Sequence, residues 1–141
     1  MSVQAVLLPL FVQVALTFVL LVWMAMLNRR AVIQGEVRWQ DIALREPNWP
    51  AHNRQIHNAF LNQLETPVLF YVLTILAWMT RHADYVFVVL AWIYVLVRIA
   101  HAFIHVSDNY VPRRGAVFLL SVLVLALMWA IFMVRILLGL G

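Results

Sequence analysis

Apolar residues fall along this chain in long unbroken runs rather than in the alternating or three-and-four spacing of half-exposed elements. Four runs are long enough to cross about 30 Å of hydrocarbon, which takes about 20 helical residues. They are Val3 to Leu27, Asn58 to Thr80, Tyr85 to Val106 and Ala116 to Leu140. The pattern predicts an all-α protein: an antiparallel bundle of four membrane-spanning helices forming a single domain over residues 1–141. No positive charge precedes the first run, and the run is too long for the apolar core of a cleavable leader, so it is expected to stay as a span. Pro9 and Pro67 lie inside spans and are expected to kink them. Membrane helices tolerate this where neighbours satisfy the freed carbonyls.

The segments between the runs are unequal. Only about Arg81 to Asp84 separates the second and third runs, which predicts a tight hairpin. About Ser107 to Gly115 joins the third to the fourth. The first loop, Asn28 to His57, is far longer and carries Trp39 and Trp49 beside Arg38 and Arg45, with Pro47 and Pro50 in its second half. A loop of that length usually has a function or lies along the interface. A short interfacial helix is expected around Val37 to Leu44.

Composition narrows the class. Of 141 residues, 65% are hydrophobic and 11% charged, and the mean hydropathy is +0.90. A soluble domain is about half apolar and about a quarter charged, so a soluble enzyme and a nucleic-acid-binding module are both excluded. The net charge of +4 comes from ten Arg, with no Lys, against six acids. Arg29, Arg30, Arg38, Arg45 and Arg54 lie in the first loop and Arg113 and Arg114 in the third, whereas the opposite side has only Arg81. Positive loops face the cytoplasm. A multi-pass membrane protein with both termini non-cytoplasmic follows, with membrane lipids and not nucleic acid as its surroundings. There is no cysteine. Disulfides, Cys metal sites and a protein thiol nucleophile are therefore excluded, and any thiol chemistry must use a thiol brought by a substrate.

Ionisable groups inside spans are costly and mark function by default. Arg54, Asn58, Asn62 and Glu65 are spaced by four, four and three, which puts them on one helical face. Tyr94, Arg98, His101 and His105 form a second such stripe. Glu65 and Arg98 each lie eight residues in from the same side, about 12 Å at the helical rise. They are expected to pair, or to share a hydrogen-bond network, and the surplus of polar groups around them suggests a wet cavity. His101 and His105 share a face, but only His57 offers a third ligand, so no metal site is expected. Arg135 is close enough to the chain end to snorkel. Arg113 and Arg114 precede the fourth span, where they either anchor topology or form an anion site with the free N–H groups of a helix start.

The segment HNRQIHNAFLNQLETP, with Ala59, Asn62 and Glu65 at matching positions, resembles the signature of the MAPEG family, the membrane-associated proteins in eicosanoid and glutathione metabolism. VRIAHAFIHV, with Arg98 and His101, is similar to that family's third span, RRGAVFLL with Arg114 to the start of its fourth, and Arg29-Arg30-Ala31 to the end of its first. Asn58 stands where the family has Arg, Arg54 and Gln55 replace its Glu-Arg pair, and Thr66 replaces an aromatic. The likeness is greatest to bacterial-type members, which implies the bacterial inner membrane. The resemblance implies a homotrimer with sites between protomers, each binding glutathione as co-substrate beside a lipophilic small molecule. Carried over, Arg114 would be catalytic by stabilising the thiolate. Arg30, Asn58, Asn62, Glu65, Arg98 and Arg113 would belong to the glutathione-binding set. The activity implied is a transferase or peroxidase acting on lipophilic electrophiles or hydroperoxides, as in detoxification. The alternative is a non-catalytic membrane protein holding a lipid or an anionic metabolite in the same cavity. A small multidrug exporter also has four spans, but it relies on an acid in the first span, and none is present here.

Overall fold

The computed structural model describes residues 1–45 and 47–141. Its elements run α1 (Val3–Ile33), a 3₁₀ turn (Trp39–Asp41), α2 (Ala51–Asn62), α3 (Thr66–Met79), α4 (Tyr85–Val106) and α5 (Val111–Leu137). Helices α2 and α3 share one interrupted span, Ala51–Met79, so the chain is an all-α, multi-pass membrane protein with four candidate spans.

The first span outruns its apolar stretch. Ser2 caps it by accepting the Ala5 N–H at 3.2 Å, and the helix continues through Pro9 to Ile33. It closes on Gly35, whose φ of 74° only glycine adopts freely. The Glu36 N–H returns to the Ala31 carbonyl at 3.0 Å and the Gly35 N–H to that of Val32 at 3.1 Å. This pairing satisfies carbonyls that the helix end would leave orphaned. The same closure recurs after α3, from His82 to Ala77 at 2.8 Å, and after α5, from Leu140 to Arg135 at 2.9 Å.

Two expectations in the first loop need correction. The interfacial helix over Val37 to Leu44 is a single 3₁₀ turn, pinned by an exposed Arg38–Asp41 ion pair at 3.1 Å. The second helix begins at Ala51 and not at Asn58, so Arg54 and His57 are helical. The kink expected at Pro67 is a full break. Pro67 has no N–H to give the Gln63 carbonyl four residues back, and its ring crowds that carbonyl. The chain tightens into three-residue turns, with Gln63 N–H to Phe60 O and Leu64 N–H to Leu61 O, both at 2.9 Å. It restarts at Thr66 with Pro67 in the first turn, where a missing donor costs nothing.

Helix α4 lies at the centre and packs against α1, α2 and α5. Half of its most apolar stretch is buried, against 17% for α5. Phe70, Leu73, Ala91, Tyr94, Leu125 and Met128 fill the core at one end. Nearer the first loop, Leu20, Ala59 and Ala102 pack α1, α2 and α4 closely, since small residues let membrane helices approach. At the opposite end Arg135 does more than snorkel: it pairs with Asp84 at 2.7 Å. Asp84 also caps α4 through the Phe87 N–H at 3.0 Å. Partial burial pushes the Asp84 carboxyl up, but the Phe87 N–H and Arg135 outweigh that and hold it below the usual aspartate range.

Candidate functional site

The break between α2 and α3 creates the site. Asn62 is the last residue of α2, and Glu65 stands on the non-helical link with φ −95° and ψ −109°. Across from them, α4 presents His101 and His105, and the start of α5 presents Arg114, Gly115 and Phe118. Together these residues line a half-open pocket of about 260 Å³. The His rings lie 5.6 Å apart, edge to face, and His101 sits 5.7 Å from the Phe118 ring. The Nδ1 atoms of both His are buried without a hydrogen-bond partner among the described residues.

Arg114 is held by local backbone chemistry. Asn109 adopts a left-handed conformation with φ 53°, and its N–H closes the end of α4 on the Ile104 carbonyl at 2.9 Å. Its side-chain oxygen then accepts from Arg114 Nη1 at 2.6 Å, which steadies the guanidinium, whose other N–H groups make no hydrogen bond among the described residues. Arg113 is drawn elsewhere. It pairs with Asp108 at 3.1 Å and lies 5.5 Å over the Tyr110 ring.

The stripe on α4 is buried as its spacing predicts, with Tyr94 and Arg98 at 0% exposure, His101 at 2% and His105 at 6%. The expected Glu65–Arg98 ion pair does not form. Equal depth would bring the two together only along a continuous helix, whereas the break turns Glu65 out into the pocket. Arg98 lies behind the pocket and does not line it. Its Nη2 donates to the Asn62 carbonyl at 3.3 Å and to the Asn62 side-chain oxygen. It also donates to Gln63 Oε1 at 3.1 Å. Neither the pair nor a hydrogen-bond network shared with Glu65 is present among the described residues: amides of Asn62 and Gln63 take the place of the carboxylate.

Of the residues singled out from sequence, Asn62, Glu65, His101, His105 and Arg114 converge on the pocket. Asn58 does not join them. It lines a separate cavity of about 340 Å³ with Arg54, His57, Trp49 and Arg45. Arg30 is exposed on the last turn of α1, outside the pocket. Sequence reasoning missed Gln63, which accepts from Gln13 Nε2 at 2.9 Å, and Asn109. Gln63 adjoins the signature Asn, which was the one available signal. No group of three or more His, Asp or Glu able to hold a metal occurs among the described residues.

Four candidate spans surround a polar pocket lined by a carboxylate, a guanidinium, an amide and two His, at one end of an otherwise apolar bundle. The model of the MAPEG family matches residues 6–134, and the chain belongs to that family. It is a glutathione-related family of membrane enzymes whose members commonly bind glutathione. Neither the curated proteins nor the solved structures compared with the chain give a match.

Proposed function

We propose that the protein is a membrane-bound, glutathione-dependent transferase or peroxidase that acts on lipophilic electrophiles or hydroperoxides. The observation that carries this reading is the convergence of Asn62, Glu65 and Arg114, from three separate segments, on one pocket. The donor set fits a zwitterionic thiol peptide. Glu65 accepts from an ammonium, the Asn62 amide meets a carbonyl or carboxylate, and the free Arg114 N–H groups face the sulfur. A thiol with an ordinary pKa near 8.5 becomes a good nucleophile beside a cation. With no cysteine in the chain, the peptide supplies the thiol. Its sulfur bonds to the electrophilic carbon as a leaving group departs, or takes the terminal oxygen of a hydroperoxide and leaves an alcohol. The bilayer delivers the second substrate.

The assembly proposed is a homotrimer oriented with the Arg-rich first and third loops in the cytoplasm. At about 260 Å³ the protomer's pocket is a little smaller than ligand sites usually are. A neighbouring copy that brings its Arg30 to the open side would complete it.

The test is direct. Detergent-purified protein is given glutathione, and thiolate absorbance and turnover are recorded with an electrophilic acceptor and with a lipid hydroperoxide. A thiolate band and product formation are expected; intact protein showing neither would remove the enzyme reading. The placement of Asn58 in the 340 Å³ cavity, away from Glu65, favours a second reading. In it the family's missing Arg is not replaced, and the protein holds a lipid or an anionic metabolite without turnover.

A further inference from the structure

We propose that Arg98 is a positioning residue that fixes which way the Asn62 amide faces, so that the pocket meets its ligand with an N–H donor and selects an acceptor group there. The proposal rests on reading the pocket as a glutathione site, and it concerns a group that never touches the ligand.

Arg98 is wholly buried. A guanidinium has only donors and keeps its proton in proteins, so every amide around it must turn its oxygen inward. Gln63 does so, and its Nε2 goes to the Ala59 carbonyl at 3.0 Å. With Gln63 Oε1 committed to Arg98, Gln13 on α1 can meet that oxygen only through its own Nε2. Its Oε1 is left buried and unpartnered. Asn62 obeys the same constraint: its Oδ1 is held by Arg98, and no hydrogen bond from its Nδ2 occurs among the described residues. Asn62 also lines the pocket, so the end free to meet a ligand is the NH₂.

The grip is strong. Arg98 Nε and Nη1 are buried and unpartnered, and no carboxylate lies in ion-pair range of it among the described residues. Its charge therefore falls on the amide oxygens it reaches. Charge-assisted hydrogen bonds are roughly twice as strong as neutral ones, and low surrounding polarity strengthens them further. Flipping Asn62 would set NH₂ against guanidinium. One buried cation thus dictates amide orientation on α1, at the break and at the mouth of the pocket.

Two arms test this on detergent-solubilised protein. In the first, radiolabelled glutathione is bound by equilibrium dialysis. Asn62→Asp keeps an oxygen for Arg98 but aims a second one at the ligand, so affinity falls at least about tenfold with the thermal midpoint raised. Arg98→Met releases the amide and weakens binding severalfold, and Arg98→Lys, which keeps a donor-only cation, recovers part of it. Wild-type affinity in folded Asn62→Asp, or in both Arg98 variants, would overturn the proposal. The second arm needs no ligand. Asn62→Asp raises the thermal midpoint when Arg98 is present, raises it less in an Arg98→Lys background, and lowers it in an Arg98→Met background, where the new carboxylate has no cation. The same shift in all backgrounds would sink the idea. Wild-type protein that binds no glutathione counts against the pocket reading alone, and the thermal arm then decides the role of Arg98.

Discussion

Arg114 owes its place to a neighbour five residues earlier, and that makes its role separable from folding. Its contact with Asn109 at 2.6 Å lies at the rim of the bundle, not in the core. Arg114→Ala is expected to abolish the glutathione thiolate band, read by ultraviolet absorbance, while the protein elutes at unchanged size on gel filtration. Dissociation instead would make the residue structural. Single residues were unevenly legible in the sequence. The Tyr94, Arg98, His101, His105 stripe could be read because a helical period places polar groups on one face, and only a buried face of a membrane helix tolerates them. The Gln13–Gln63 contact could not, because its partners are 50 residues apart and an amide carries no charge to betray its mate. The Glu65–Arg98 pairing failed for a different reason: equal depth is a property of unbroken helices.

That reason belongs to the element scale. The four spans were legible because hydrocarbon thickness sets their length, whereas the start of α2 was not, since residues 51–57 are too polar to register as a span. The break also hid behind an apolar run that continues on both sides of it. Pro67→Ala restores a donor for the Gln63 carbonyl. It should join α2 to α3, raise helicity by circular dichroism and turn Glu65 out of the pocket, with glutathione binding lost and the fold kept. Unchanged binding would show that the break is incidental. At the other end of α3, Arg81 holds φ 61° in the closing turn, a conformation that costs a side-chain-bearing residue about 1 kcal/mol. Arg81→Gly is therefore expected to stabilise the detergent-solubilised protein by about 0.5–1 kcal/mol, visible as a higher thermal midpoint.

For the molecule as a whole, the family and the bundle were legible in the sequence. The tie between the start of α4 and the end of α5 was not, because Asp84 and Arg135 lie 51 positions apart and meet only once the helices pack antiparallel. Asp84 is held below the usual aspartate range. The stability it contributes is therefore full at neutral pH and is lost as the medium falls through that range and below it. Thermal midpoints followed on acidification should fall in the wild type and fall less steeply in Asp84→Asn. Parallel curves would show that the pair contributes nothing. The helix ends at this same rim have a wider consequence. The closing turns after α3 and α5 return the Ala77, Trp78, Arg135 and Ile136 carbonyls to backbone N–H groups, while Arg81 and the Asp84–Arg135 pair put charge at the same rim. Charged groups are costly in hydrocarbon, so this rim is pinned at the level of the head groups. A bilayer of different thickness has to be met by tilting the bundle or deforming the lipid, not by sinking this end.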